Sequence, residues 1–91
     1  MKILVLNCGS SSLKYQLINM ENEEVLASGK YERIGEKEAF ITHKALGKKV
    51  TINHEALTHE EAVDFTLKQF TNPEYKVIDS LDEINAIGHR I

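Results

Sequence analysis

A chain of 91 residues holds one small domain with a modest core and excludes two. Apolar residues at 42% and charged residues at 27% exclude collagen-like, disulfide-scaffold and extended disordered classes. Eleven Lys and Arg against fourteen Asp and Glu give a net charge of -3, without the dense basic block of a nucleic-acid binder.

The first apolar run, Ile3 to Leu6, ends at a Gly/Ser cluster and predicts a central strand buried on both faces. At four residues it is far too short to cross a membrane or to form a signal-peptide core, so no membrane partner is expected. After Asn7-Cys8-Gly9-Ser10-Ser11-Ser12, alternation places Leu13, Tyr15 and Leu17 on one side and Lys14, Gln16 and Ile18 on the other, a half-buried strand. The acidic stretch Glu21-Asn22-Glu23-Glu24 predicts a solvated turn, and Val25 to Ile34 a returning antiparallel strand, giving a three-stranded meander. Phe40 to Lys44 and Val50 to Asn53 read as a further hairpin, with Gly47 in its turn and Lys44, Lys48 and Lys49 as solubilising charges around it.

A helix is predicted from Thr58, whose hydroxyl caps it while Glu61 completes a capping box. Val63, Leu67 and Phe70, with Ala62 and Thr66 beside them, form its core-facing stripe, and Asn72-Pro73 ends it. Ser80 and Glu83 repeat the capping-box spacing with room for one turn before a short strand from Asn85 to Gly88. Strands, a helix and another strand, without internal repeats, predict a mixed α/β sheet.

Chemistry concentrates in the turn from Asn7 to Lys14. Gly9 permits a positive φ, so successive N–H groups and the hydroxyls of Ser10, Ser11 and Ser12 can converge on an anion, with the Lys14 ammonium close by. Gly and Ser also favour turns for their own reasons, so a plain hairpin turn fits the composition as well as a phosphate site does. The spacings G-x-x-x-x-G-K-[ST] and G-x-G-x-x-G are both absent. The Asn7 carboxamide can serve as an oxygen ligand toward magnesium or accept a local amide in an Asx-turn; alone, it cannot hold the metal. Arg90, in Gly88-His89-Arg90, has a guanidinium suited to a carboxylate or to a phosphoryl group in transit, or to a solvated surface position. His89 reads as a hydrogen-bonding residue that fixes local geometry. His43, His54 and His59 match no Cys/His zinc spacing, and the lone Cys8 reads as a small turn or core residue, natural in a reducing cytoplasm.

The segment Lys2-Ile3-Leu4-Val5-Leu6-Asn7-Cys8-Gly9-Ser10-Ser11-Ser12-Leu13-Lys14 resembles the N-terminal N-x-G-S-S-S-x-K signature of acetate kinases. Gly88-His89-Arg90-Ile91 resembles the start of their second signature, G-H-R-[IV]-V-H-G-G. The resemblance spans all 91 residues, yet it corresponds only to the N-terminal part of the family's first domain, with the second domain absent. It implies a ribonuclease H-like, actin-like ATPase module, truncated, with antiparallel meander strands and a crossover helix. It further implies a cytoplasmic homodimer and reversible, Mg2+- or Mn2+-dependent transfer of phosphate from ATP to acetate, giving acetyl phosphate and ADP. By matching positions, Asn7 becomes the magnesium-associated residue, Lys14 with Gly9, Ser10 and Ser12 the ATP-phosphate contacts, and Arg90 the contact to acetate or to the transferring phosphoryl group. Propionate or butyrate kinase activity, and a non-catalytic nucleotide-binding module, are the alternatives. A segment this short is expected to lack activity alone and, with its sheet uncovered, to be marginally stable or to self-associate.

Overall fold

The computed structural model describes residues 1–90; Ile91 and the side chain of Arg90 lie outside the described residues. Six strands form one sheet: β1 (Lys2–Cys8), β2 (Leu13–Asn19), β3 (Glu24–Glu32), β4 (Phe40–Ala45), β5 (Lys48–Asn53) and β6 (Ile84–Arg90). Their spatial order is β5-β4-β3-β2-β1-β6. The first five strands pair antiparallel in chain order, and β6 lies parallel to β1. The crossover that parallel pairing requires is supplied by α1 (His59–Phe70) and a single 3-10 turn (Leu81–Glu83). The predicted meander, hairpin and crossover are all present; β1, β2, β4, β5 and β6 extend beyond the predicted runs, whereas β3 begins at Glu24 and ends at Glu32, two residues short of Ile34.

Both capping boxes form: Thr58 with Glu61 opens α1, and Ser80 with Glu83 opens the 3-10 turn. Glu83 also accepts from the Lys2 ammonium at 3.2 Å, and the Lys2 amide donates to the Asn85 side chain at 2.8 Å. Those two contacts pin the start of β6 beside the start of β1. At the β4–β5 turn, Leu46 and Gly47 adopt φ of 53° and 73°, the left-handed pair that a two-residue hairpin needs.

Helix α1 lies against one face of the sheet, and the buried core is that face. Leu4, Leu6, Leu13, Tyr15, Leu17, Ala27, Tyr31, Ile41 and Ala45 point into it. Coverage of a single face corrects the expectation for β1: Leu4 and Leu6 are buried, whereas the alternating Ile3 and Val5 are only half-buried. The helix stripe is also rotated by one residue. Ala62, Thr66, Gln69 and Phe70 are buried, with Val63 and Leu67 flanking them, because small side chains let the helix approach the sheet.

The centre of this core is polar. Tyr15, Gly29 and His43 sit side by side across β2, β3 and β4. The missing Gly29 side chain leaves a gap that the Tyr15 ring crosses; a Cβ there would lie 2.3 Å from the Tyr15 hydroxyl oxygen. That hydroxyl is hydrogen-bonded to His43 Nδ1 at 2.5 Å, beneath Phe70 and Tyr75. His43 Nε2 has no partner among the described residues. Burial pushes the Tyr15 phenol up and holds His43 down at about 4.

Because the folded His43 stays neutral while the unfolded one takes up a proton below about 6.5, the unfolded chain binds more protons between those values. Stability therefore falls as pH drops from about 6.5 toward 4, by about 2–3 kcal/mol from this residue. Urea denaturation across that window is expected to show a flatter pH profile for H43L than for the unsubstituted chain. H43L is also expected to be less stable at pH 7, since it strands the Tyr15 hydroxyl in the core. Parallel profiles would remove His43 as the source of the pH dependence.

Candidate phosphate-binding site

Alternation along each strand sends one set of side chains to the core and the next to the opposite face. On β1 and β2 the core set is Leu4, Leu6, Tyr15 and Leu17, which leaves Val5, Asn7, Lys14 and Gln16 on the open face. Asn7 pairs directly with Lys14 across β1 and β2, and with Arg90 across β1 and β6. The row continues to Lys30 on β3 and Thr42 on β4. Three residues singled out in the sequence, two of them 83 positions apart, thus occupy adjacent register positions beside the Gly/Ser turn. The expected function of the Arg90 side chain lies outside the described residues.

The open face is concave, with a groove of about 520 Å³ lined by Asn7, Lys14, Gln16, Ser28, Lys30, Glu32, Thr42, Lys44 and Lys49. Lys30 pairs with Glu32 at 3.5 Å; Lys14, Lys44 and Lys49 make no ion pair among the described residues. Lys14 stands directly opposite Lys30, and Lys44 directly opposite Lys49. Like charges facing each other across a ladder repel, so a groove of this kind favours an anion. Lys44 and Lys49, expected only as solubilising turn charges, line it as well. In the sequence they looked like turn residues, and their shared face appears only once the register is known.

The turn itself differs from expectation. Positive φ occurs at Gly35 and Gly47 among the glycines, and not at Gly9. Gly9 instead sits in a tight space: a Cβ there would lie 2.6 Å from Ser12 Oγ, which would have to rotate away. Its N–H does not join a converging set of donors but closes the turn onto the Ser12 carbonyl at 2.9 Å. The amides and hydroxyls of Ser10, Ser11 and Ser12 make no hydrogen bond among the described residues, so they are the donors this turn can offer. The Asn7 side chain is exposed and forms no Asx-turn among the described residues, which leaves its carboxamide oxygen free to ligate. Cys8 is exposed at the end of β1.

The three histidines outside the second signature have separate roles. His43 is in the core. His54 stacks on Phe65 with ring centroids 3.7 Å apart and accepts the Tyr31 hydroxyl at its carbonyl oxygen. His59 reaches the Gly/Ser turn, a contact that no local pattern announces because the two segments lie about 50 residues apart.

Comparison with known proteins places this geometry. The profile described as the acetokinase family matches residues 2–91. The chain belongs to the acetokinase family. It is 58% identical to the acetate kinase of Alkaliphilus metalliredigens and 52% identical to that of Clostridium novyi, in each case over all of this chain and 23% of the relative. It spans about a quarter of the length of the curated relatives it matches. The crystal structure of Porphyromonas gingivalis acetate kinase superposes with a TM-score of 0.94 at 42% identity, over 99% of this chain and 23% of that one. A propionate kinase from Francisella tularensis superposes with a TM-score of 0.81 at 33% identity, over 99% of this chain and 22% of that one. The fold is therefore that of the N-terminal part of acetokinase structures, an actin-like ATPase fold.

The steric account of Gly9 predicts a coupled pair of substitutions. G9A must move the Ser12 hydroxyl, a side-chain end that can rotate, so it is expected to cost about 1 kcal/mol. S12A is expected to remove most of that cost. A double-mutant cycle by denaturant unfolding measures the coupling, and strictly additive effects would show that the two atoms do not compete for the same space.

Proposed function

We propose that this segment supplies the phosphate-binding turn and part of the substrate site of a kinase that transfers the γ-phosphoryl group of ATP to acetate. The observation that carries this reading is the row Arg90-Asn7-Lys14 beside Ser10 and Ser12, on a face where unpaired lysines gather. In the reaction an acetate oxygen attacks the γ-phosphorus, the bond to ADP breaks, and its electron pair leaves on the β-phosphate oxygen. Negative charge spreads over the phosphoryl oxygens in transit, so positioned cations and N–H donors do most of the catalytic work. Lys14 attracts the phosphates as a point charge, and the Ser10 and Ser12 donors orient them. Arg90 meets the acetate carboxylate or the moving phosphoryl group.

The exposed Asn7 carboxamide oxygen would hold one position of a magnesium ion, with nucleotide oxygens and water needed to complete the set. Among the described residues no group of three or more His, Cys, Asp or Glu could hold the metal instead. A magnesium ion held there would supply neutralisation of phosphate charge, while Ser10, Ser12 and Lys14 bind and align the nucleotide and Gly9 shapes the turn that carries them. A cytoplasmic homodimer belongs to the same proposal, and among the described residues no helix is long and apolar enough to cross a membrane. The propionate kinase likeness supports a second reading in which the preferred acid is longer.

A hybrid in which this chain replaces the matching segment of the Alkaliphilus metalliredigens acetate kinase tests the proposal. The hybrid is expected to form ADP in an acetate-dependent manner, while the 91-residue chain alone is not. R90A in the hybrid is expected to lower kcat on the order of 10²-fold or more, and K14A mainly to raise the KM for ATP. Comparing turnover of acetate, propionate and butyrate decides between the two acids' readings. Unchanged kinetics in both variants would remove this row from the active site.

A further inference from the structure

His59 is the first residue of α1, immediately after the Thr58 cap. Its Nε2 lies 2.7 Å from the Gly9 carbonyl oxygen and 3.2 Å from the Ser12 carbonyl oxygen. Both partners are acceptors only, so Nε2 carries the proton and shares it between the two carbonyls that bracket Ser10 and Ser11. The Ser12 oxygen also accepts from the Gly9 amide, and the Ser11 oxygen accepts from the Ile34 amide at 2.9 Å. Three of the turn's carbonyl oxygens are thereby committed to protein donors.

A turn that receives an anion must offer N–H and O–H groups and withhold its carbonyl oxygens, whose negative ends would repel the ligand. The arrangement around Gly9–Ser12 meets both conditions. The oxygens of Gly9, Ser11 and Ser12 are occupied, and the amides and hydroxyls of Ser10, Ser11 and Ser12 are not used by the described residues. We infer that His59 is a positioning residue: its Nε2–H clamps the Gly9 and Ser12 carbonyls and so holds the turn in the shape that receives phosphate. It touches neither substrate nor metal and acts through the turn. The phosphate part of the inference rests on the kinase reading above; the clamp itself does not.

Nitrogen-15 NMR of the 91-residue chain is expected to show His59 as the Nε2–H tautomer at neutral pH; an Nδ1–H tautomer overturns the clamp. Amide exchange gives a second measure. H59L is expected to speed exchange at Gly9 about tenfold, the worth of one lost hydrogen bond, while the amides from Val63 to Phe70 keep their protection. H59Q, whose amide N–H reaches the same position as Nε2, is expected to restore protection, and the shorter H59N is not. This pair decides the matter even if H59L melts α1. Equal protection at Gly9 in H59Q and H59N overturns the proposal. In the hybrid enzyme, H59N is expected to raise the KM for ATP several-fold with a smaller change in kcat, and H59Q to stay near the unsubstituted value. Protection lost in H59N without any change in that KM upholds the clamp and overturns the phosphate reading of the turn.

Discussion

The hydrogen bond between Tyr15 and His43, made through the gap at Gly29, is the constraint on which the rest of this sheet depends. A strand's two faces differ by one residue of register, so any slip would exchange Tyr15 with Lys14. An ammonium at the position of Tyr15 would be buried without a carboxylate, and the phenol would lose its partner. With Tyr15 fixed inward, Lys14 is fixed outward, directly beside Asn7. The inward-pointing aromatic cluster and the outward-pointing row are thus two readings of one register.

Helix α1 serves that constraint from one side. Phe70 and Tyr75 close over the His43 ring, and the small residues Ala62 and Thr66 bring the helix axis close enough for them to do so. From its other end the same helix extends His59 to the Gly/Ser turn. One element therefore covers the core and braces the loop, linking the packing of the domain to the shape of the turn. The half-buried Ile3 and Val5 and the facing lysines show how different the opposite surface is.

Much of this was legible in the sequence. Alternation over Leu13 to Ile18 identified a half-buried strand, and the Thr58/Glu61 and Ser80/Glu83 spacings marked both helical starts, because those signals are local. Asn7, Lys14 and Arg90 were identified by signature, but nothing in the spacing of residues 7 and 90 reveals that they are neighbours; a parallel pairing across a crossover does. His43 is weighed in the sequence only as a zinc ligand and set aside for its spacing; its place in the core shows through its bond to Tyr15, which crosses a glycine fourteen residues away whose importance is the absence of a side chain. Gly9 reads in the sequence as a source of backbone freedom, whereas in the fold its small size lets the Ser12 hydroxyl lie close. Lys44 and Lys49 gave turn-like signals and took a place in the groove only through register.

The tie between Lys2 and the start of β6 bears on how the molecule assembles. Strands β1 to β5 join through short reversals, whereas docking β6 closes a loop of more than 80 residues, as the Lys2–Asn85 contact spans 83 positions. Loop closure over that distance costs about 2–3 kcal/mol more entropy than closing a hairpin of a few residues. In an unfolded chain this pairing is therefore the costliest of the sheet, whereas with β1 to β5 and α1 in place only the segment from Phe70 to Ile84 remains to be closed, and the contacts of Glu83 and Asn85 with Lys2 fasten its far end. Because Arg90 sits on that last strand, the row exists only when the crossover has brought β6 beside β1. The site's register thus depends on a long-range closure, while the turn and Lys14 depend only on a local hairpin.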